Sequence, residues 1–149
     1  MILYFAYGAN MDRPAMAKRC PQAKPLGIAM IDGYRFTIGS GGYACLARAP
    51  GKSVHGVLWR LTPRDLAALD AYESIDTGLY RRAFLPVRFG GRTSQALLYL
   101  GRRPGQSRPR RGYLQSVIAA ARDWKLPPGY IARLERRARR DRVTAGERK

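Results

Sequence analysis

From residue 2 to residue 100 the apolar side chains come in short runs punctuated by glycine, proline and aspartate, and this punctuation restricts the chain to a strand-rich fold. The runs at 2–7, 27–31, 34–38, 44–47, 54–61, 83–89 and 94–100 each have the length of a strand. Asp32-Gly33 and Gly90-Gly91 separate neighbouring runs and predict tight hairpin turns. Helical signals are fewer, at 14–19, 63–72, 112–124 and 128–140, the last opening on Pro127-Pro128. Strands first and two helices last indicate an α+β class.

The first run stops abruptly at Tyr7-Gly8-Ala9-Asn10. Asp12 is a candidate N-cap and Pro14 fits the first turn of the helix that follows, so the peptide N–H groups of Gly8, Ala9 and Asn10 are candidate free donors. Donors of that kind hold carboxylates or phosphates. The plainer reading is a strand-to-helix turn in which Gly8 supplies a positive φ and nothing binds.

Glu73 closes a second helix signal, in which Thr62 is the N-cap, Pro63 stands at N1, Asp65 at N3, and Leu66, Leu69 and Tyr72 share apolar spacing. A carboxylate at a helix C-terminus meets the unfavourable end of the helix dipole, so it does not serve helix stability. Two readings stay open: a solvated loop residue, or a functional carboxylate with a raised pKa.

At 149 residues the chain suits one domain, expected over residues 1–142, with 143–149 as a flexible basic tail. Hydrophobic residues make up 46%, which excludes wholesale disorder, and no apolar stretch approaches the roughly 20 residues of a membrane span. The first residues carry no basic segment ahead of an apolar one, so no signal peptide is read and a cytoplasmic location is expected. Cys20 and Cys45 are far apart and lack the spacing of a metal site, which predicts two reduced thiols. His55 falls within a strand run and is read as a structural histidine. No metal site and no cofactor are expected.

The net charge of +18 is uneven: residues 101–149 hold 15 Lys and Arg against 4 Asp and Glu. Arg102, Arg103, Arg108, Arg110 and Arg111 sit in a connector, while Arg133, Arg136, Arg137, Arg139, Arg140 and Arg142 sit on the last helix at several phases. That distribution favours a solvated basic surface wrapping the helix over a recognition stripe, with nucleic acid as the less favoured partner.

Several segments, in order, resemble the gamma-glutamylcyclotransferase-like, or AIG2-like, family. They are Tyr4-Phe5-Ala6-Tyr7-Gly8-Ala9-Asn10-Met11, Pro50-Gly51, Val54-His55-Gly56-Val57-Leu58-Trp59-Arg60-Leu61, Leu69-Asp70-Ala71-Tyr72-Glu73 and Tyr80-Arg81-Arg82. A looser likeness continues through Val87, Tyr113, Ile118, Ala121, Leu126-Pro127 and Tyr130. The resemblance implies a small mixed, mostly antiparallel β-barrel flanked by helices, with a cavity at one end. It implies a cofactor-free enzyme that cyclises a gamma-glutamyl amide to 5-oxoproline and releases an amino acid or amine. Under it, Glu73 is the general acid/base, while Gly8, Ala9 and Asn10 bind the substrate α-carboxylate through backbone N–H groups and Tyr7 shapes the turn. Tyr80 and Tyr113 line the pocket, against the ordinary alternative of tyrosines packed into the core. The family usually has Ser where this chain has Ala9, a change that removes a hydroxyl and keeps the backbone donor. Two alternatives accompany this reading: a cyclotransferase or deprotecting enzyme acting on gamma-glutamyl amines, and a non-catalytic basic module of the same fold that binds nucleic acid. Nothing in the sequence specifies an oligomeric state.

Overall fold

The first strand, β1 (Ile2–Ala6), holds both ends of a sheet together. In the computed structural model, which describes residues 2–73, 78–105 and 107–147, it runs antiparallel to β3 (Ala44–Leu61), with Ile2 opposite Leu61 and Ala6 opposite Val57. It also runs parallel to β5 (Arg92–Gly101) through Tyr4 and Leu97, closing a barrel of order β1-β3-β2-β4-β5. The α+β barrel expected from the resemblance is the fold observed. Phe5, Val57, Leu97 and Leu98 are fully buried in its core, each removal from water being worth roughly 1.5–3 kcal/mol. Gly56 has a packing reason: a Cβ there would stand 2.3 Å from the Ala6 carbonyl oxygen.

The long hairpin corrects two sequence expectations. The runs at 27–31 and 34–38 are one strand, β2 (Lys24–Ile38), and the runs at 44–47 and 54–61 are the two ends of β3. Asp32-Gly33 is therefore not a hairpin turn. The pairing shifts register there, from Asp32 opposite Ser53 to Tyr34 opposite Arg48, and Gly33, at φ +85°, takes up the irregularity within the strand. The reversal lies at Ser40–Gly42 instead. Gly90-Gly91 does form the expected turn between β4 (Tyr80–Phe89) and β5, with φ of +57° and +76°, as a two-residue hairpin of the primed kind requires.

Among the described residues, four α-helices flank the barrel. In α1 (Arg13–Arg19) the Asp12 carboxylate caps the Ala15 N–H at 3.0 Å, and in α2 (Pro63–Tyr72) Thr62 and Asp65 form a reciprocal capping box. The helix α3 (Tyr113–Asp123) buries Leu114, Val117, Ile118 and Ala121, at the three- and four-residue spacing of one face. The last helix, α4 (Pro128–Glu147), extends beyond the expected end at residue 140 and buries Tyr130, Leu134 and Ala138 at four-residue spacing. Where the sequence predicted arginines wrapping the helix, Arg133, Arg136, Arg137, Arg139 and Arg140 line one groove shared with Arg35 of β2 and Lys52 of β3, while the side chain of Arg142 lies outside the described residues.

Cys20 and Cys45 are buried free thiols, and burial pushes the Cys20 thiol up to about 11. His55 stands on β3 with its ring edge-to-face on Tyr130 at 4.9 Å, and burial lowers its pKa. Among the described residues no helix is long and apolar enough to cross a membrane.

Candidate active site

Where β1 ends, the Tyr7 hydroxyl donates to the Tyr99 carbonyl at 2.6 Å, fixing the point at which the chain leaves the barrel. Ala9–Met11 then form a single tight helical turn, closed by Met11 N–H to Gly8 C=O and Asp12 N–H to Ala9 C=O, each at 3.1 Å. The α3 side holds this turn down. The Trp124 indole donates to the Met11 carbonyl at 2.6 Å, and the Arg13 guanidinium lies 3.6 Å above the Trp124 ring.

Gly8 is not at positive φ. Its backbone sits at φ −126°, so the conformational reason offered by its sequence context is replaced by a steric one. A Cβ at Gly8 would stand 2.7 Å from the Tyr113 hydroxyl and 2.9 Å from the Ala44 Cβ. Tyr113 accordingly lies directly over the turn. Its oxygen accepts the Ala44 N–H at 3.1 Å, leaving its own hydrogen to donate elsewhere.

Asn10 is 3% exposed and contributes its side chain. The amide nitrogen donates to the Tyr4 hydroxyl at 3.0 Å and to Glu73 Oε1 at 3.4 Å, while the amide oxygen accepts from the Arg19 guanidinium. Arg19 itself stacks 3.8 Å above the Tyr72 ring, so the last turns of α1 and α2 meet at this point.

Glu73 follows the last residue of α2, and its N–H bonds the Leu69 carbonyl at 2.8 Å. The carboxyl group is largely withdrawn from water. Burial pushes its pKa up to about 7, opposed by the positive charge of Arg19. Of the two readings left open by the sequence, the solvated loop residue does not fit this environment.

These groups surround a cavity of about 180 Å³. Tyr7, Gly8, Ala9, Asn10, Glu73, Tyr80 and Tyr113 all line it, so every site residue expected from the sequence is brought to one place. The Tyr80 hydroxyl bonds the Ala44 carbonyl at 3.3 Å. Four further tyrosines were missed: Tyr4, Tyr43, Tyr72 and Tyr99, the last donating to Asp70 at 2.7 Å. Seven of the nine tyrosines in the chain thus converge here, a concentration that tyrosine usage relative to only 4 phenylalanines hints at in the sequence. Burial raises the pKa of Tyr4, Tyr7, Tyr80 and Tyr99, and takes Tyr113 up to about 12, so these phenols stay protonated at neutral pH.

One carboxyl group poised near neutrality, a lining of neutral phenols and a tight backbone turn make a site for a small polar molecule that must exchange a proton. Among the described residues no group of three or more His, Cys, Asp or Glu could hold a metal ion.

Comparison with known proteins agrees with this fold. A family model described as gamma-glutamyl cyclotransferase, AIG2-like, matches residues 4–126. The chain is 25% identical over 146 residues to the gamma-glutamylcyclotransferase of Mus musculus, covering 89% of this chain and 77% of that protein. Its fold matches a solved gamma-glutamyl cyclotransferase with a TM-score of 0.83 at 25% identity, over 90% of this chain and 86% of the other. YkqA from Bacillus subtilis matches with a TM-score of 0.78 at 29% identity, over 91% of this chain and 53% of that one.

Proposed function

The chain belongs to the gamma-glutamyl cyclotransferase, AIG2-like family, and from that membership we propose that it is a gamma-glutamylcyclotransferase in which Glu73 is the general acid/base. The α-amine of a gamma-glutamyl amide attacks the γ-carbonyl carbon of the same glutamyl unit. A C–N bond forms to close the five-membered ring of 5-oxoproline, and the original amide C–N bond breaks to release an amino acid or amine. Neither water nor a cofactor is consumed.

Nucleophile and electrophile are already tethered, so the protein has to hold the glutamyl arm folded and move protons. The turn at Gly8, Ala9 and Asn10 takes the substrate α-carboxylate, with Tyr7 setting its position. Tyr113 adds a donor above the turn, since its oxygen is already occupied as an acceptor. Tyr80 lines the same cavity. Glu73 as carboxylate removes a proton from the attacking amine and returns it to the leaving nitrogen, which would otherwise depart as an unstable anion.

The observation that carries this reading is the Glu73 carboxyl: buried in the cavity beside Asn10, with a pKa of about 7. A group half ionised near neutrality can both accept and return a proton there. Ala9 retains the backbone donor of the family's usual serine and leaves the cavity less polar at that point. Residues 1–142 form the catalytic unit in this reading, acting on a small cytoplasmic substrate.

The test is release of 5-oxoproline from gamma-glutamyl dipeptides, gamma-glutamyl amines and the ε-lysine isopeptide, with Glu73→Gln protein in parallel. Product that depends on Glu73 is expected, and the best substrate identifies the leaving group. No product from any of the three classes would overturn the assignment.

A further inference from the structure

A second concavity, of about 860 Å³, lies between α4 and the β2–β3 hairpin, and among the described residues it shares none of its lining with the tyrosine-lined cavity. One wall carries Arg35 and Lys52 from the hairpin. The other carries Arg133, Arg136, Arg139 and Arg140 from α4, all exposed. No carboxylate is among the described lining residues. Two acids of α4 are paired: Glu135 with Arg122 of α3 at 3.0 Å, away from the groove, and Asp141 at 3.3 Å with Arg137, which also lines the groove and is thereby neutralised. The floor is apolar, formed by Phe36 and Leu134 with the Tyr130 ring, over which Arg133 sits 5.6 Å from the centroid.

Like charges gathered on two facing walls repel one another unless a polyanion fills the space between them. A groove of this shape, cationic along its rims and apolar with aromatic groups at its base, suits one flexible backbone of regularly spaced phosphates with bases turned inward. A duplex is a convex rod that would rest on the rims. A bilayer surface is flat, and the exposed large apolar side chains Leu26, Ile28, Tyr72 and Phe84 lie outside the groove. We infer that the groove between α4 and the β2–β3 hairpin binds single-stranded nucleic acid through its phosphate backbone.

The full chain is titrated into a fluorescein-labelled twelve-nucleotide single-stranded RNA, with anisotropy read between 50 and 200 mM salt. About five phosphate contacts should give a roughly hundredfold loss of affinity across that range. Two double variants, Arg35→Gln/Lys52→Gln and Arg136→Gln/Arg139→Gln, each remove two rim charges from one wall. Each should weaken binding about tenfold and lower the slope of log affinity against log salt by about 1.4. The charge-matched control Arg64→Gln/Arg92→Gln should bind like the parent. Release of 5-oxoproline should be unchanged in all three, and their circular dichroism should match the parent. The inference is overturned if the control loses as much affinity as the groove variants. It is equally overturned if a duplex of the same length, or vesicles of phosphatidylserine, compete as well as the single strand.

Discussion

The side-chain amide of Asn10 donates to Glu73 Oε1 at 3.4 Å, joining the turn after β1 to the C-terminal end of α2. Through the other end of the same amide, Arg19 is coupled to the pair. The carboxyl group therefore sits between two opposed influences, burial that favours its neutral form and a cation that favours its charged form.

Glu73→Gln keeps the shape of the side chain and removes the proton acceptor. Formation of 5-oxoproline should fall by about 10²–10⁴-fold while substrate still binds. In the parent enzyme kcat/KM should decline tenfold per pH unit below about 7, because the base must be ionised to act. A wild-type rate in the variant would remove Glu73 from the chemistry.

The same residue should cost stability. Its folded pKa of about 7 lies above the ordinary 4.5, so the stability it contributes is fully present below pH 4.5 and is lost as pH rises through 7. Glu73→Gln protein should thus exceed the parent by up to ~3 kcal/mol at pH 8 and match it at pH 4. Urea denaturation at the two pH values measures this; a difference independent of pH would contradict the burial argument.

Arg19→Gln removes the cation that holds the Glu73 pKa down. The acidic limb of the kcat/KM profile should move to higher pH. Arg19→Lys should restore part of that shift but less of kcat, since an ammonium lacks the planar fork that meets Asn10 and stacks on Tyr72. A limb that stays at about 7 in both variants would separate Arg19 from Glu73.

Gly8→Ala forces a methyl group against the Tyr113 hydroxyl and Ala44. A loss of about 1–3 kcal/mol in stability is expected, with a raised KM. Tyr113→Phe deprives the Ala44 N–H of its acceptor, and the two substitutions should be non-additive because they disturb one contact. Additive losses in a double-mutant cycle would show that Tyr113 does not guard the turn.

The elements were most legible where local chemistry dictates them. Thr62, Pro63 and Asp65 announce α2 because a capping box is a contact among neighbours, and Gly90-Gly91 announces its hairpin because the turn demands two positive φ values. Asp32-Gly33 carries the same local signal, yet the strand runs through it, because pairing with β3 on both sides outweighs a turn preference. The residues matching the family motif were singled out from their sequence context and all line the cavity, whereas Tyr4, Tyr43, Tyr72 and Tyr99 reach it through tertiary packing that no short segment encodes. Likewise Arg19 reads as an ordinary helical cation until the fold sets it against Asn10 and Tyr72. The groove arginines became a group when the hairpin supplied the opposite wall.

Closing the barrel through β1 has a consequence for synthesis. Tyr4 must wait for Leu97 and Tyr7 for Tyr99, a partner 92 residues later in the chain. At about 5–20 residues per second, an apolar segment from Ile2 to Ala6 stays without its final partner for roughly five to twenty seconds during translation. The long hairpins form from nearby residues, but the turn after β1 takes its place only through partners as distant as Trp124, which meets Met11, so under the proposed function recovery of activity on refolding should trail the recovery of β-sheet signal.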